Sequence, residues 1–175
     1  DKAGLIPAIL SKWFDERVEY RKLAKKYGND GNTERYEYFD RRQLIQKIML
    51  NSLYGVLGLS VFRFYDIDNA EATTLTGQSL IKFSRTITNH FYNEQLGTDK
   101  DYVIYIDTDS IFASALPLVK HRYPNENVNS KPMMTKRILS IASELQEYLN
   151  NSYDYFAQKF CNINEHKFEI KQEVI

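Results

Sequence analysis

Asp107-Thr108-Asp109 lies between two apolar runs, Tyr102-Val103-Ile104-Tyr105-Ile106 and Ser110-Ile111-Phe112. Runs of this kind predict two short buried strands that deliver two carboxylates to one tight turn. Like charges so close repel unless a cation sits between them. Hard oxygen ligands suit Mg²⁺, which keeps several waters and shares its coordination shell with substrate phosphates. Aspartate is also ordinary in Asx-type turns, but nothing structural in the flanking strands calls for two acids.

A second group lies upstream, in Lys47-Ile48-Met49-Leu50-Asn51-Ser52-Leu53-Tyr54-Gly55. At about 100° per residue, Lys47, Asn51, Tyr54 and Gly58 share one stripe of a helix. Ile45, Met49, Ser52 and Val56 fall on the opposite side. A cation, an amide, a phenol and a glycine in line resemble a ligand surface, although periodicity alone equally allows a polar face. Earlier still, Arg17, Arg21 and Lys25 follow at i, i+4 and i+8, and none has an acid three or four residues away. Like charges so placed cost a few tenths of a kcal/mol each in an isolated helix. An anion such as a triphosphate, matched by the arginine forks, would offset that cost. A row of solvated charges is the commoner cause.

These groups need elements to hold them. Gly4-Leu5-Ile6-Pro7 opens a helix with proline in the first turn. Ile6, Ile9, Leu10, Trp13 and Phe14 carry it at helical spacing, and Tyr27-Gly28 ends it. Gly28-Asn29-Asp30-Gly31-Asn32 has turn chemistry, so a second, antiparallel helix is expected from about Thr33 to Leu57, stopped by Gly58. Val61 to Tyr65 reads as extended. Asp68-Asn69-Ala70-Glu71 reads as the capped start of a long helix ending at Gly97, with Leu80, Phe83, Ile87 and Phe91 as its core stripe. Strands follow at Tyr102 to Ile106 and Ser110 to Ala115, then a polar loop from Pro124 to Lys131. A helix with Ile138, Ile141, Leu145, Tyr148 and Phe156 leads to a strand from Lys167 to Val174. The fold class is therefore α+β: an antiparallel helical hairpin, then helices packed on antiparallel strands.

Composition agrees with a folded chain. Its 175 residues are 43% hydrophobic, with 23 Lys and Arg against 23 Asp and Glu. Seven glycines and four prolines exclude collagen-like architecture, and one cysteine excludes an intrachain disulfide or a zinc-finger framework. No apolar run approaches the roughly 20 residues of a membrane span. Residues 1–50 hold 11 basic against 8 acidic side chains, and the remainder is correspondingly acidic, a weak pointer to an anionic ligand and a cation site. A start at Asp1 and an end inside an expected strand read as a piece of something longer.

The three groups, in this order, resemble the family B DNA polymerases, most closely the replicative enzymes of tailed bacteriophages. Lys47-x-x-x-Asn51-Ser52-Leu53-Tyr54-Gly55 is similar to the K-x-x-x-N-S-x-Y-G fingers motif. Tyr105-Ile106-Asp107-Thr108-Asp109-Ser110 is similar to the Y-G-D-T-D-S palm motif. Both together, about fifty residues apart with a long helix between, are very specific. Gly4-Leu5-Ile6-Pro7, Phe62-Arg63-Phe64-Tyr65-Asp66 and Glu173 extend the likeness over nearly the whole chain. Ile106 departs from it, standing where the family usually has glycine.

The resemblance implies a fingers hairpin over residues 1–59 and part of a palm over residues 60–175. It implies that Arg17, Arg21 and Lys47 grip an incoming dNTP, that Asn51 supports the site, and that Tyr54 and Gly55 pack on the nascent base pair. Tyr105 and Thr108 join Gly55 as expected DNA contacts. Asp109 is the expected ligand of catalytic Mg²⁺, Asp107 a supporting one, and Glu173 a further palm carboxylate. Two ions about 3.5–4 Å apart would serve a phosphoryl transfer from dNTP to a primer 3′-hydroxyl. The implied partners are primer-template DNA, dNTP and a sliding clamp engaged through regions outside this stretch, with no membrane. The implied place of work is the cytoplasm of an infected bacterial host. The family's other metal-binding aspartate is expected before Asp1, so the chain alone is expected to be inactive.

Two other classes share parts of this pattern. An aspartyl-nucleophile phosphohydrolase also places D-x-D after an apolar strand, with Asp107 phosphorylated and Asp109 as acid/base, but it needs a parallel βαβ sheet. A non-catalytic nucleic-acid-binding remnant would use the basic stripe and leave the paired acids unexplained. His90, His121 and His166 share no ligand spacing, and Ser52 and Ser110 lack a nucleophile elbow.

Overall fold

The computed structural model describes residues 4–125 and 130–172. Within them lie five α-helices, one π-helical turn and a two-stranded antiparallel sheet, the expected α+β class. The chain divides into two compact units, Asp1–Thr73 and Thr74–Ile175.

In the first unit α1 (Leu5–Asn29) and α2 (Thr33–Leu57) form an antiparallel hairpin. Gly31, at φ +69°, takes the left-handed step that lets Asn32 N donate back to Tyr27 O at 2.9 Å, and Asn32 Oδ1 caps α2 by accepting from Arg35 N. Near the tip Phe39 stacks on Tyr27 and tilts against Tyr20, with ring centroids 5.6 and 6.2 Å apart. Two helices alone bury one stripe each: Ala24 is the sole buried residue of α1 among those described, and α2 has none.

Beyond Gly58 the aromatic stretch is not extended. It makes reverse turns, with Phe62 N donating to Leu59 O and Tyr65 N to Phe62 O. The strand propensity of such residues depends on packing against neighbours on a pleated surface, and no strand lies beside this stretch among the described residues. Asp66, two residues earlier than expected, caps α3 (Ile67–Leu96) through Asn69 N at 3.0 Å.

In the second unit the core is Phe91, Tyr92, Leu118, Val119 and Ile141, flanked by Tyr102, Ala113, Leu145 and Tyr148. Leu118 and Val119 belong to α4 (Leu116–Arg122), a helix unforeseen because its seven residues are too few for a periodic signal. Leu80, Phe83 and Ile87 of the expected α3 stripe are half-buried, whereas Ser84 and Thr88 are fully buried. Ser84 Oγ meets Tyr153 Oη of α5 (Lys131–Phe156) at 2.9 Å, so small side chains admit α5 where large ones were expected. Burial pushes the Tyr153 phenol up.

The predicted strand over 167–174 is a correction too. Described residues 167–172 pair with no strand and lie along α5 instead. Asn150 Nδ2 donates to Ile170 O at 3.1 Å and its Oδ1 accepts from Ile170 N at 2.9 Å, while Gln146 Oε1 accepts from Gln172 N at 2.6 Å. Four helix residues advance about 6 Å and two extended residues about 6.6 Å, so an amide every fourth residue matches backbone two residues apart. Asn150→Ala should destabilise this unit by about 2 kcal/mol, one per part-buried hydrogen bond. Urea titration of the chain checks it, and amide exchange at Ile170 should rise with it.

Candidate functional site

The hairpin of β1 (Val103–Asp107) and β2 (Ser110–Ala113) carries the paired acids. Its base is fixed by two asparagines one turn apart on α3. Asn89 Oδ1 accepts from Tyr102 N at 2.8 Å, and Asn93 brackets Lys100, its Nδ2 donating to Lys100 O and its Oδ1 accepting from Lys100 N, both at 2.9 Å. Tyr102 stacks on Tyr92 at 5.1 Å. Arg85 and Asn89 bond Asp101, and those hydrogen bonds, the arginine's first, hold its carboxyl below the usual range. The sequence signal for this anchor was Asn89-x-x-x-Asn93 before Gly97, whose φ of +63° turns the chain out of α3.

Asp107 faces Ser110 in the last pair of the ladder, leaving Thr108-Asp109 as a two-residue turn. Thr108 sits at φ +38°, the first central position, where glycine is usual in hairpins of the II′ type. A β-branched residue there stores strain, which gathers at functional sites. The register slips by one between Val103 and Tyr105, a device that re-aims strand side chains next to active sites. Beyond the slip, Tyr105 and Phe112 pair on the face of Asp107, their rings 5.8 Å apart. Ile106 pairs with Ile111 on the other, half-buried face.

The strands are not buried as expected: Ile104 is 75% and Tyr105 57% exposed, because a two-stranded sheet leaves one face uncovered. Both aspartates are exposed. Thr108 Oγ1 donates to Asp107 Oδ1 at 3.2 Å. Among the described residues no third acid, histidine or cysteine joins them in a metal-holding group. Two carboxylates with open oxygens fit Mg²⁺, which binds through one or two carboxylates plus phosphates and water. Glu173 lies outside the described residues.

In the other unit, Gln46 Nε2 donates to Glu16, which sets residues 16 and 46 at one level of the α1–α2 hairpin. The next residue of each helix, Arg17 and Lys47, turns from the contact line by about 100° in the same helical sense. In antiparallel helices that carries both to one side. Arg21 continues that side toward the tip, and Asn51 and Tyr54 continue it away from the tip, whereas Lys25, about 180° round α1 from Glu16, turns away from α2. Lys47, Asn51, Arg21 and Lys25 are exposed, and Tyr54 is 40% exposed. Arg17 is half-buried with its Nε unpartnered among the described residues, and burial, followed by the Arg21 charge, pulls its guanidinium below the ordinary range. A Cβ on Gly55 would meet nothing within 4 Å. Glycine in a helix costs about 1 kcal/mol relative to alanine, and no packing among the described residues requires it here.

The motif helix and the motif hairpin thus both form as the sequence predicts, and residues 1–123 match DNA polymerase family B. The chain belongs to that family. Among curated relatives of this family B chain are the DNA-directed DNA polymerases of Escherichia phage RB69 and Enterobacteria phage T4. Each is 36% identical over 121 residues, covering 62% of this chain and 13% and 14% of those proteins. DNA polymerase 1 of Pyrococcus abyssi (strain GE5 / Orsay) is 28% identical over 173 residues, covering 99% of the chain and 20% of that protein. The family B chain therefore spans a fifth or less of the length of these relatives. No helix among its described residues is long and apolar enough to cross a membrane.

Proposed function

We propose that residues 1–59 are the fingers and residues 60–175 part of the palm of a template-directed DNA polymerase that adds dNTPs to a primer 3′-hydroxyl. The observation that carries this reading is the pair Asp107 and Asp109, exposed at the turn of an anchored hairpin in a family B chain. The two-stranded sheet is antiparallel, which disfavours the aspartyl-nucleophile phosphohydrolase and its parallel βαβ sheet.

In the reaction, the primer 3′-oxygen bonds to the α-phosphorus and the bond to the bridging oxygen breaks. That electron pair leaves with pyrophosphate, and the hydroxyl proton passes to water. Asp109 is the principal Mg²⁺ ligand, Asp107 supports it, and Glu173 is assigned to the same site by resemblance. Two bound Mg²⁺ ions supply charge neutralisation at the attacking and leaving oxygens. Lys47, Arg17 and Arg21 hold the triphosphate, with the forks of the arginines matching its oxygens. Asn51 supports that grip. Tyr54 stacks at the nascent base pair, and the bare surface of Gly55 admits it closely. Tyr105 and Thr108 lie on the exposed side of the hairpin that primer-template DNA covers. The 175 residues alone, spanning a fifth or less of the length of these relatives, are read as inactive. The phage relatives favour a viral protein at work in the cytoplasm of an infected bacterium, with a sliding clamp held by other parts of the polymerase.

Lys47→Ala in the full-length polymerase tests the reading. One lost charge-assisted phosphate contact is worth about 1.5–3 kcal/mol, so the KM for dNTP should rise roughly tenfold to a hundredfold in steady-state primer extension. An unchanged KM would remove Lys47 from the site, and DNA binding without any Mg²⁺-dependent dNTP binding would favour a non-catalytic remnant.

A further inference from the structure

Thr108 is one of two non-glycine residues at positive φ among those described, and the other, Asn162, is of a type that tolerates the left-handed region. Threonine tolerates it poorly, because two heavy atoms on Cβ crowd and stiffen the side chain. Glycine at φ +38° would cost the turn less. The hydroxyl supplies what glycine lacks. Side chains of successive strand residues point to opposite faces, and the turn at Thr108 breaks that alternation, so that Oγ1 donates back to Asp107 Oδ1 at 3.2 Å. From the far side of the turn Ser110 Oγ donates to Asp107 O, also at 3.2 Å. Asp107 is thus held at its carboxylate and at its main chain. The Asp109 carboxylate, by contrast, accepts no hydrogen bond and forms no ion pair among the described residues.

We propose that Thr108 is a positioning residue, whose hydroxyl occupies Oδ1 of Asp107 and orders that carboxylate, leaving Oδ2 for a divalent ion, while Asp109 remains free to follow the ion. The proposal rests on the Mg²⁺ reading of Asp107 and Asp109. Without the hydrogen bond Asp107 samples more rotamers, and an ion that uses it must first order the side chain, which weakens binding. Ligands locked by neighbouring hydrogen bonds avoid that cost. The strained step at Thr108 is also what brings the hydroxyl to the carboxylate, which accounts for a residue other than glycine at this position.

The test is Mn²⁺ titration, read by electron paramagnetic resonance, of the full-length polymerase bound to dideoxy-terminated primer-template and the next dNTP. Thr108→Ala and Thr108→Ser differ from each other only in the hydroxyl, and both relieve the crowding of the branched Cβ, so folding is not at issue. For Thr108→Ala the Mn²⁺ concentration at half-occupancy should rise roughly threefold to tenfold, the worth of one exposed hydrogen bond. Thr108→Ser should stay within about twofold of the native enzyme, and affinity for primer-template should change by less than the metal midpoint in both variants. An unchanged or lowered midpoint for Thr108→Ala, a midpoint raised as much by Thr108→Ser, or a loss of DNA affinity equal to the rise in midpoint would overturn the proposal. Asp109→Asn reports separately on the metal site: if it binds Mn²⁺ as the native enzyme does, that reading fails whatever Thr108 does.

Discussion

Asp109→Asn in the full-length polymerase is expected to lower single-turnover nucleotide incorporation at least about a thousandfold, with affinity for primer-template DNA changed less than about twofold. The substitution is nearly isosteric, so the two-residue turn after Asp107 keeps its geometry. On the proposed reading it removes the ligand charge that would hold Mg²⁺, the ion that would neutralise developing charge on phosphate oxygens, the term that dominates phosphoryl transfer. DNA affinity comes from cations against the backbone, and an exposed acid contributes nothing favourable to it. Rapid-quench incorporation beside a DNA-binding titration separates the two effects. A rate within tenfold of the native enzyme would remove Asp109 from the metal site.

The second large effect is on stability. Phe156→Ala should destabilise the Thr74–Ile175 unit by about 3–5 kcal/mol, the range for deleting a buried aromatic ring. Phe156 is 1% exposed. Its ring lies 5.3 Å from Phe83 of α3, 5.1 Å from Phe160 of the π-helical turn η1 (Ala157–Cys161) and 5.8 Å from Phe168. One side chain thus joins α3, the end of α5 and the segment lying along α5. Thermal unfolding should show a lowered midpoint, and Phe156→Leu should cost less than half as much. Equal losses for both variants would show that packing around this ring is loose.

Much of this architecture could be read from residue types and spacing because the decisive signals are local. Both helices of the hairpin follow from apolar residues at helical intervals and from Gly31 and Gly58. The carboxylate turn follows from two apolar runs interrupted by Asp107-Thr108-Asp109. The misreadings arise where long-range packing decides. Val61 to Tyr65 has strand-like composition but no strand to pair with, so it turns. Lys167 to Gln172 is likewise apolar at alternate positions, yet Gln146 and Asn150 satisfy its backbone in place of a neighbouring strand. On α3, Ser84 and Thr88 are buried because α5 approaches closely, which a hydrophobicity pattern reads backwards. The chemical groups of the site were legible as types, whereas the anchor at Asn89 and Asn93 and the level set by Glu16 and Gln46 depend on partners 13, 7 and 30 residues away.

The proposed role of Asp107 and Asp109 is to hold divalent ions that a bound nucleotide completes. It is tested most directly by counting Mn²⁺, by electron paramagnetic resonance, in a complex of the full-length polymerase with dideoxy-terminated primer-template and the next dNTP. Two ions per complex are expected for the native enzyme, with fewer than two for Asp109→Asn at the same nucleotide occupancy. Two ions retained by Asp109→Asn would contradict the claim.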